Sequence, residues 1–227
     1  MDPLWTPKTT DKSAMAAFMR DVNSKFNTQI TDYHQLWEWS VENHEDFWNH
    51  WWNYVNPIAS KQPHRTLINS DLFERSRWFP DAELNFAENL LRFRDNKKAI
   101  VFRDEDGNRS SLSYNELYIV AGLVAAEFKN LGIGKGDRVA AILPNIPEAV
   151  IAMLATTWLG AVWSSCSPDF GTDGILERFK QIEPKLLISC DGYKFKGTPV
   201  AAIINGEIKM KDGKILGDPK GQPIVFK

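Results

Sequence analysis

The residues of this chain best equipped for chemistry form the run Ser164-Ser165-Cys166-Ser167-Pro168-Asp169-Phe170-Gly171. Hydroxyl groups and backbone N–H donors are concentrated there, and an amphipathic run follows, which places the loop at a helix N-terminus. That is a physical recipe for holding an anion such as a phosphate. Taken by themselves, the residues leave this reading level with that of an ordinary strand-to-helix loop.

Other candidates carry less. The stretch from Leu131 to Asp137, LGIGKGD, has the G-x-G spacing of a phosphate loop, but a helix precedes it and a strand follows. A dinucleotide fingerprint needs the reverse order, so this stretch reads as a turn. His34, His44, His50 and His64 form no HExxH, read as surface or capping residues, and give no expectation of a metal site. No GxSxG elbow is present, so hydrolase chemistry has no support. Cys166 and Cys190, without a CxxC, read as buried thiols of a reducing compartment, neither nucleophiles nor a disulfide.

The elements that must position the loop follow from periodicity. Ala161 to Cys166 is β-prone, Ser167 to Gly174 is loop, and Ile175, Leu176, Phe179 and Ile182 share one face of a helix that Pro184 stops. Leu186 to Cys190 is the next strand. Two strands joined by a helix should lie parallel with a right-handed crossover, and ligands of such sheets collect outside the carboxyl ends of the strands. The loop is in that place.

Upstream, Ser113 with Glu116 is a capping box opening a helix through Leu117, Val120, Ala121, Val124 and Phe128, which Gly132 closes. Asp137 to Leu143 is a buried strand, and Pro147 stands near the start of a helix through Leu159. From 113 to 190 the order is α, β, α, β, α, β, the pattern of a doubly wound α/β sheet. Ala99 to Arg103 and Ser110 to Ser113 flank Asp106-Gly107 as a hairpin, and Leu84, Ala87, Leu90 and Leu91 are helix-spaced. Residues 56 to 70 read as a connector.

Residues 1 to 60 contain Trp5, Trp37, Trp39, Trp48, Trp51 and Trp52. Three helices are expected there, capped by Thr10, by Thr31 with Asp32, and by Ser40 or Asn43, with the aromatic side chains packing a helical layer rather than forming a ligand cage. Beyond Asp191, Val200 to Ile204, Ile208 to Met210 and Lys214 to Leu216 read as small antiparallel β structure with a turn at Asp212-Gly213.

Composition narrows the function classes. With 227 residues, 43% hydrophobic and 25% charged, the chain has the makeup of a soluble globular protein. A net charge of -2 without a basic cluster argues against nucleic acid as a partner. The most apolar run, Val139 to Trp163, is broken by Pro144, Asn145, Pro147 and Glu148, so no membrane span is expected. Met1-Asp2-Pro3 does not open a secretory signal, and the cytoplasm is the expected location.

Three segments then carry a resemblance: LNFAENLL at 84 to 91, GKGDRVAAILPNIPEAVIAMLATTWLGAVWSSCSPDFG at 134 to 171, and ILERFKQIEPKLL at 175 to 187. They resemble the N-terminal region of acetoacetyl-CoA synthetases, in the acyl-adenylate-forming superfamily that includes acetyl-CoA synthetase and firefly luciferase. The opening PLW, FMRDVN and the Trp-rich run ending in FWNHWWNY look like the same family's N-terminal segment.

The resemblance implies an α/β fold: an incomplete doubly wound sheet of an adenylate-forming N-terminal domain, preceded by a Trp-rich helical segment and followed by a small β hairpin tail. It implies three parts, a helical segment at 1–60, a partial AMP-binding domain at 61–196, and a β tail of different origin at 197–227. From about Gly197 the run VAAIINGEIKMKDGKILG resembles instead the C-terminal β segment of dihydroorotase and hydantoinase-type amidohydrolases.

Complete family members use ATP, Mg and CoA to make an acyl-adenylate and pass the acyl group to the CoA thiol. Their phosphate loop, acyl pocket and catalytic lysine have no counterpart in these residues. The implied role is therefore an N-terminal fragment of an acetoacetate-CoA ligase, inactive alone, with no catalytic residue and no metal ligand of its own. Ser167, Pro168, Asp169, Phe170 and Gly171, with Lys194 and Lys196, are the positions that match the family's pocket for the nucleotide end of CoA, held weakly here. An unpaired sheet edge is expected to favour self-association. The alternatives are a non-catalytic CoA-binding or interaction module, a related short-chain acyl-CoA synthetase fragment and, remotely, an amidohydrolase remnant.

Overall fold

A computed structural model describes residues 9–69 and 73–189, together with the backbone of 201–204, 207–211 and 214–215. The chain divides into two compact units, Met1–Leu84 and Asn85–Lys227.

In the first unit, α1 (Ala14–Phe26), α2 (Tyr33–Glu42) and α3 (His44–Val55) are three separate helices. Ser13, not Thr10, caps α1, because its hydroxyl accepts from the Ala16 N–H while Thr10 contributes only a carbonyl to the preceding turn. Asp32 caps α2 through the Gln35 N–H, and Asn43 stands at the cap of α3 without a side-chain bond to it. Asn56, in the left-handed region at φ 45°, ends α3 just before Pro57.

Phe18, Val22, Ile30 and Leu36 form the core of this unit. Phe18 stands at the centre of the aromatic layer, with ring contacts to Phe47, His50, Trp51 and Tyr54 at 4.9 to 6.0 Å. The tryptophans thus pack a helical layer, although Trp37, Trp48 and Trp51 keep an exposed face. His50 departs from the surface role expected of it. It is 9% exposed, with Nε2 2.7 Å from Asp21 Oδ2 but without hydrogen-bond alignment.

The connector at 56 to 70 contains two short strands, β1 (Ala59–Lys61) and β2 (Leu67–Ile68). They pair antiparallel with β4 (Glu83–Leu84) and β3 (Arg77–Trp78) respectively. Strands of two or three residues are too short for any periodicity to reveal. Leu84 consequently lies in β4, and α4 of the second unit is shortened to Phe86–Leu90, capped by Asn85.

The second unit continues with the hairpin β5 (Lys98–Arg103) and β6 (Arg109–Ser113), closed by a loop in which Asp104 Oδ1 accepts from the Asn108 N–H. The capping box forms as expected and opens α5 (Tyr114–Asn130). Bonding from the Ser113 backbone N–H and then from its hydroxyl lowers the Glu116 pKa. At the other end, Gly132 N–H donates to Lys129 O and Ile133 N–H to Phe128 O, a Schellman closure that needs Gly132 at φ 83°.

β7 (Arg138–Ile142), α6 (Pro147–Trp158), β8 (Val162–Cys166), α7 (Gly171–Lys180) and β9 (Leu186–Ser189) follow. The sheet is parallel in the order β8-β7-β9, so the two strands flanking α7 are not neighbours, and β7 lies between them. β7 is central because Val139-Ala140-Ala141-Ile142 is apolar on both faces, as a strand covered on both sides must be. Val139 packs with Ala125, Phe128, Ala152 and Ala155 of α5 and α6, whereas Ala140 and Ile142 pack with Cys166, Ile175 and Phe179 on the α7 side. Helices on opposite faces make this a doubly wound arrangement. The backbones of β10 (Ala201–Ile204), β11 (Glu207–Lys211) and β12 (Lys214–Ile215) pair antiparallel in that order.

Candidate functional site

β7 and β8 are neighbours, and their chains leave in opposite directions at the carboxyl edge, one to α6 and the other to α7 on the far face. The ladder runs one bond past the strands, from the Leu143 N–H to Cys166 O at 3.2 Å. Beyond it the chain passes into the loops 143–146 and 167–170, at the strand edge where open α/β sheets bind ligands. The sequence reading missed the first of these loops. Pro144-Asn145-Ile146-Pro147 after an apolar strand occupies the same strand-to-helix position as the Ser-rich loop, and that signal was available.

In the second loop, Ser167 and Pro168 are half-buried, while Asp169, Phe170 and Gly171 are exposed. Ser167 Oγ donates to Asp169 Oδ2 at 2.8 Å and accepts from the Asp169 N–H at 3.4 Å, so the hydroxyl is committed within the loop. Pro168–Phe170 makes a single 3-10 turn, and Gly171, at φ 64° and ψ 166°, redirects the chain into α7. A Cβ at Gly171 would meet nothing within 4 Å, so the backbone angle, not lack of space, calls for glycine there. Asp169 and Asp173 stand in the first turns at this end and offset the positive end of the helix.

The nearby cation is Arg178, whose guanidinium lies over the Phe170 ring at 4.2 Å while Nη1 donates to Gly174 O at 3.0 Å. Lys194 and Lys196, expected to flank the same edge, lie outside the described residues, as does Cys190. Cys166 is a free, buried thiol paired in register with Ile142. Among the described residues no group of three or more His, Cys, Asp or Glu side chains could hold a metal ion, and no helix is long and apolar enough to cross a membrane.

The amino edge of the sheet does different work. The LGIGKGD stretch is a turn, in which Asp137 Oδ2 accepts from the Gly134 N–H at 2.8 Å and from Lys185 Nζ at 2.9 Å, while the same ammonium reaches Gly132 O at 2.7 Å. The Lys185 bond first, then that from Gly134, holds the Asp137 carboxyl below its usual pKa. Among the described residues, the two carboxylates with shifted titration, Asp137 and Glu116, serve chain turns and helix caps rather than the carboxyl edge.

A family model for AMP-binding enzymes matches residues 86–221, and one for the acetyl-coenzyme A synthetase N-terminus matches 33–90. The chain is 43% identical over 197 residues to the acetoacetyl-coenzyme A synthetase of Rhizobium meliloti (strain 1021), covering 86% of this chain and 30% of that one. It is 36% identical over 227 residues to the acetoacetyl-CoA synthetase of Gallus gallus, covering 99% of this chain and 33% of the relative. Among solved structures, an acetoacetyl-CoA synthetase from Streptomyces lividans matches with a TM-score of 0.77 at 33% identity, over 92% of this chain and 32% of that one.

The chain thus spans about a third of the length of the curated relatives it matches. The likeness of the tail to cyclic amidohydrolases is unsupported, since the AMP-binding match continues to residue 221 and the Gallus gallus alignment covers nearly the whole chain. With more than half of its residues matched by that model and its doubly wound α/β core in place, the chain belongs to the AMP-binding enzyme family.

Proposed function

We propose that the chain is the N-terminal part of an acetoacetate-CoA ligase. The complete enzyme joins acetoacetate to ATP as acetoacetyl-adenylate with loss of diphosphate, and the CoA thiol then attacks the acyl carbon and releases AMP. The observation that carries this reading is the acetoacetyl-CoA synthetase match over 92% of the chain at 33% identity. ATP, Mg and CoA are cofactor and substrates of the whole enzyme, which acts in the cytoplasm.

The part played by these residues is recognition of the nucleotide end of CoA. Ser167 to Gly171 sit at the carboxyl edge beside the β7 loop, where a ligand of such a sheet is received. Lys194 and Lys196 follow the last strand of that sheet in sequence and supply the positive charge for the 3'-phosphate. Each charge-assisted hydrogen bond is worth roughly 1.5 to 3 kcal/mol if sheltered, and much less in open solvent. Adenylate formation needs preorganised charge around the ATP phosphates. The family's residues for it are not among these 227, so the chain alone is inactive, and an unpaired sheet edge would favour its self-association.

Two measurements test this. The chain should show no acetoacetate-dependent exchange of pyrophosphate into ATP above a no-protein control. CoA should bind more tightly than 3'-dephospho-CoA, and Lys194→Ala with Lys196→Ala should abolish the difference. Equal binding of the two ligands by the unmutated chain would sink the phosphate role of the lysines.

A further inference from the structure

We propose that Arg178 is a positioning residue for the candidate nucleotide loop, holding the Phe170 ring and through it the 167–171 turn in the conformation that receives the ligand. The inference rests on the reading of that loop as CoA-binding surface given above. Gly174 and Arg178 are one turn apart on the same face of α7, and the chain reversal at Gly171 brings Phe170 alongside them.

Along that face the guanidinium of Arg178 covers the Phe170 ring at 4.2 Å, inside the distance over which a cation is attracted to a ring face. Its Nη1 is tied to Gly174 O at 3.0 Å, which fixes the plane of the group over the ring. Gly174 sits between the two side chains. A Cβ there would stand 3.4 Å from Arg178 Nη1 and 3.8 Å from Phe170 Cβ. Phe170 is 50% exposed, so burial alone fixes its ring poorly, and the arginine does what the core does not. Arg178 lies in the last turn of α7, next to Phe179, whose buried side chain anchors the helix to the sheet. The contact therefore links an exposed turn to a helix anchored on the sheet.

An exposed cation–π contact corresponds to about a twofold to fivefold change in an equilibrium constant. The test uses the whole 227-residue chain and four variants, Arg178→Ala, Arg178→Lys, Phe170→Leu and the Ala/Leu double substitution. Amide hydrogen exchange is read at residues 169 to 171 and in β7, and CoA is titrated calorimetrically.

The expected result is faster exchange at the loop in Arg178→Ala and in Phe170→Leu, by about twofold to fivefold, with β7 protection and the thermal midpoint unchanged. CoA affinity should fall by the same factor in both, the double variant should be no worse than either, and lysine should restore part of the loss. Unchanged loop exchange in Arg178→Ala overturns the proposal. So does a loosened loop with unchanged CoA affinity, or a harmless Phe170→Leu beside an Arg178→Ala defect that lysine fully restores, which would make the charge act on CoA directly. If the unmutated chain binds no CoA while both variants loosen the loop, the CoA reading of the loop fails and the latch itself stands.

Discussion

Ile142→Ala should be among the most damaging single changes in the second unit, and its cost can be worked from the packing. Ile142 is 0% exposed, the last residue of the central strand, and it contacts the cluster of Ala140, Cys166, Ile175 and Phe179. Replacing isoleucine by alanine removes three side-chain carbons, worth about 0.8 kcal/mol each in transfer, or about 2.4 kcal/mol together. The cavity left between β7 and α7 adds to this, because helix and sheet can close only part of the gap, bringing the total to about 3 to 4 kcal/mol. Ile142→Val should cost only about 0.5 to 1.5 kcal/mol. Urea unfolding followed by fluorescence of Trp158 and Trp163, in a background where the first unit's tryptophans are replaced by phenylalanine, reports on this unit alone. Val101→Ala, at a position 70% exposed, is the control. The midpoint should fall with the slope unchanged. An Ile142→Ala chain that melts with the Val101→Ala control would refute the placement of Ile142 between sheet and α7.

The remaining predictions concern titration, capping and thiol chemistry. Asp137 has a depressed folded pKa, caused first by the Lys185 bond and then by the Gly134 N–H, so its stabilisation is complete above the unfolded value near about 3.9 and is lost as pH falls through the folded one. Asp137→Asn should therefore flatten the acid limb of a pH–stability curve below about pH 4, and an unchanged slope would remove the Lys185–Asp137 tie from the account. Ser113→Ala should cost about 0.5 to 2 kcal/mol by deleting the α5 cap, whereas Thr10→Ala, at a residue that caps nothing with its side chain, should change stability by less than about 0.5 kcal/mol. Cys166 is 6% exposed and should react with a thiol reagent far more slowly than the urea-unfolded chain. Equal labelling rates would show the β8 end to be open.

Much of the fold could be read from residue order because the physics involved is local. Ser113-x-x-Glu116 carries both partners of the capping box within one turn, so the start of α5 needs no tertiary information. Gly132 ends that helix for an equally local reason, the left-handed angle that the Schellman bonds require. The run Val139 to Ile142 announced a strand covered on both faces, and the β-runs flanking it, joined by helices, announced parallel pairing.

Strand neighbours were another matter. Residue order runs β7, β8, β9, but space places β7 between the other two, and only the packing of α6 and α7 on opposite faces decides that. The same choice brought two strand-to-helix loops to one edge of the sheet, so Asn145 and its proline neighbours share with Ser167 to Gly171 an edge that no spacing along the chain expresses. Sequence likewise identified Ser167 as a hydroxyl for an anion, whereas the folded turn gives that hydroxyl to Asp169. His50 passed from an expected surface residue to a buried one because the burial of a half-polar ring depends on which aromatic side chains surround it. Caps, turns and periodicity act over four residues or fewer and are written in the chain. Strand order, burial of polar rings and the direction of a hydroxyl depend on partners brought together from far along it, and the tertiary structure alone decides them.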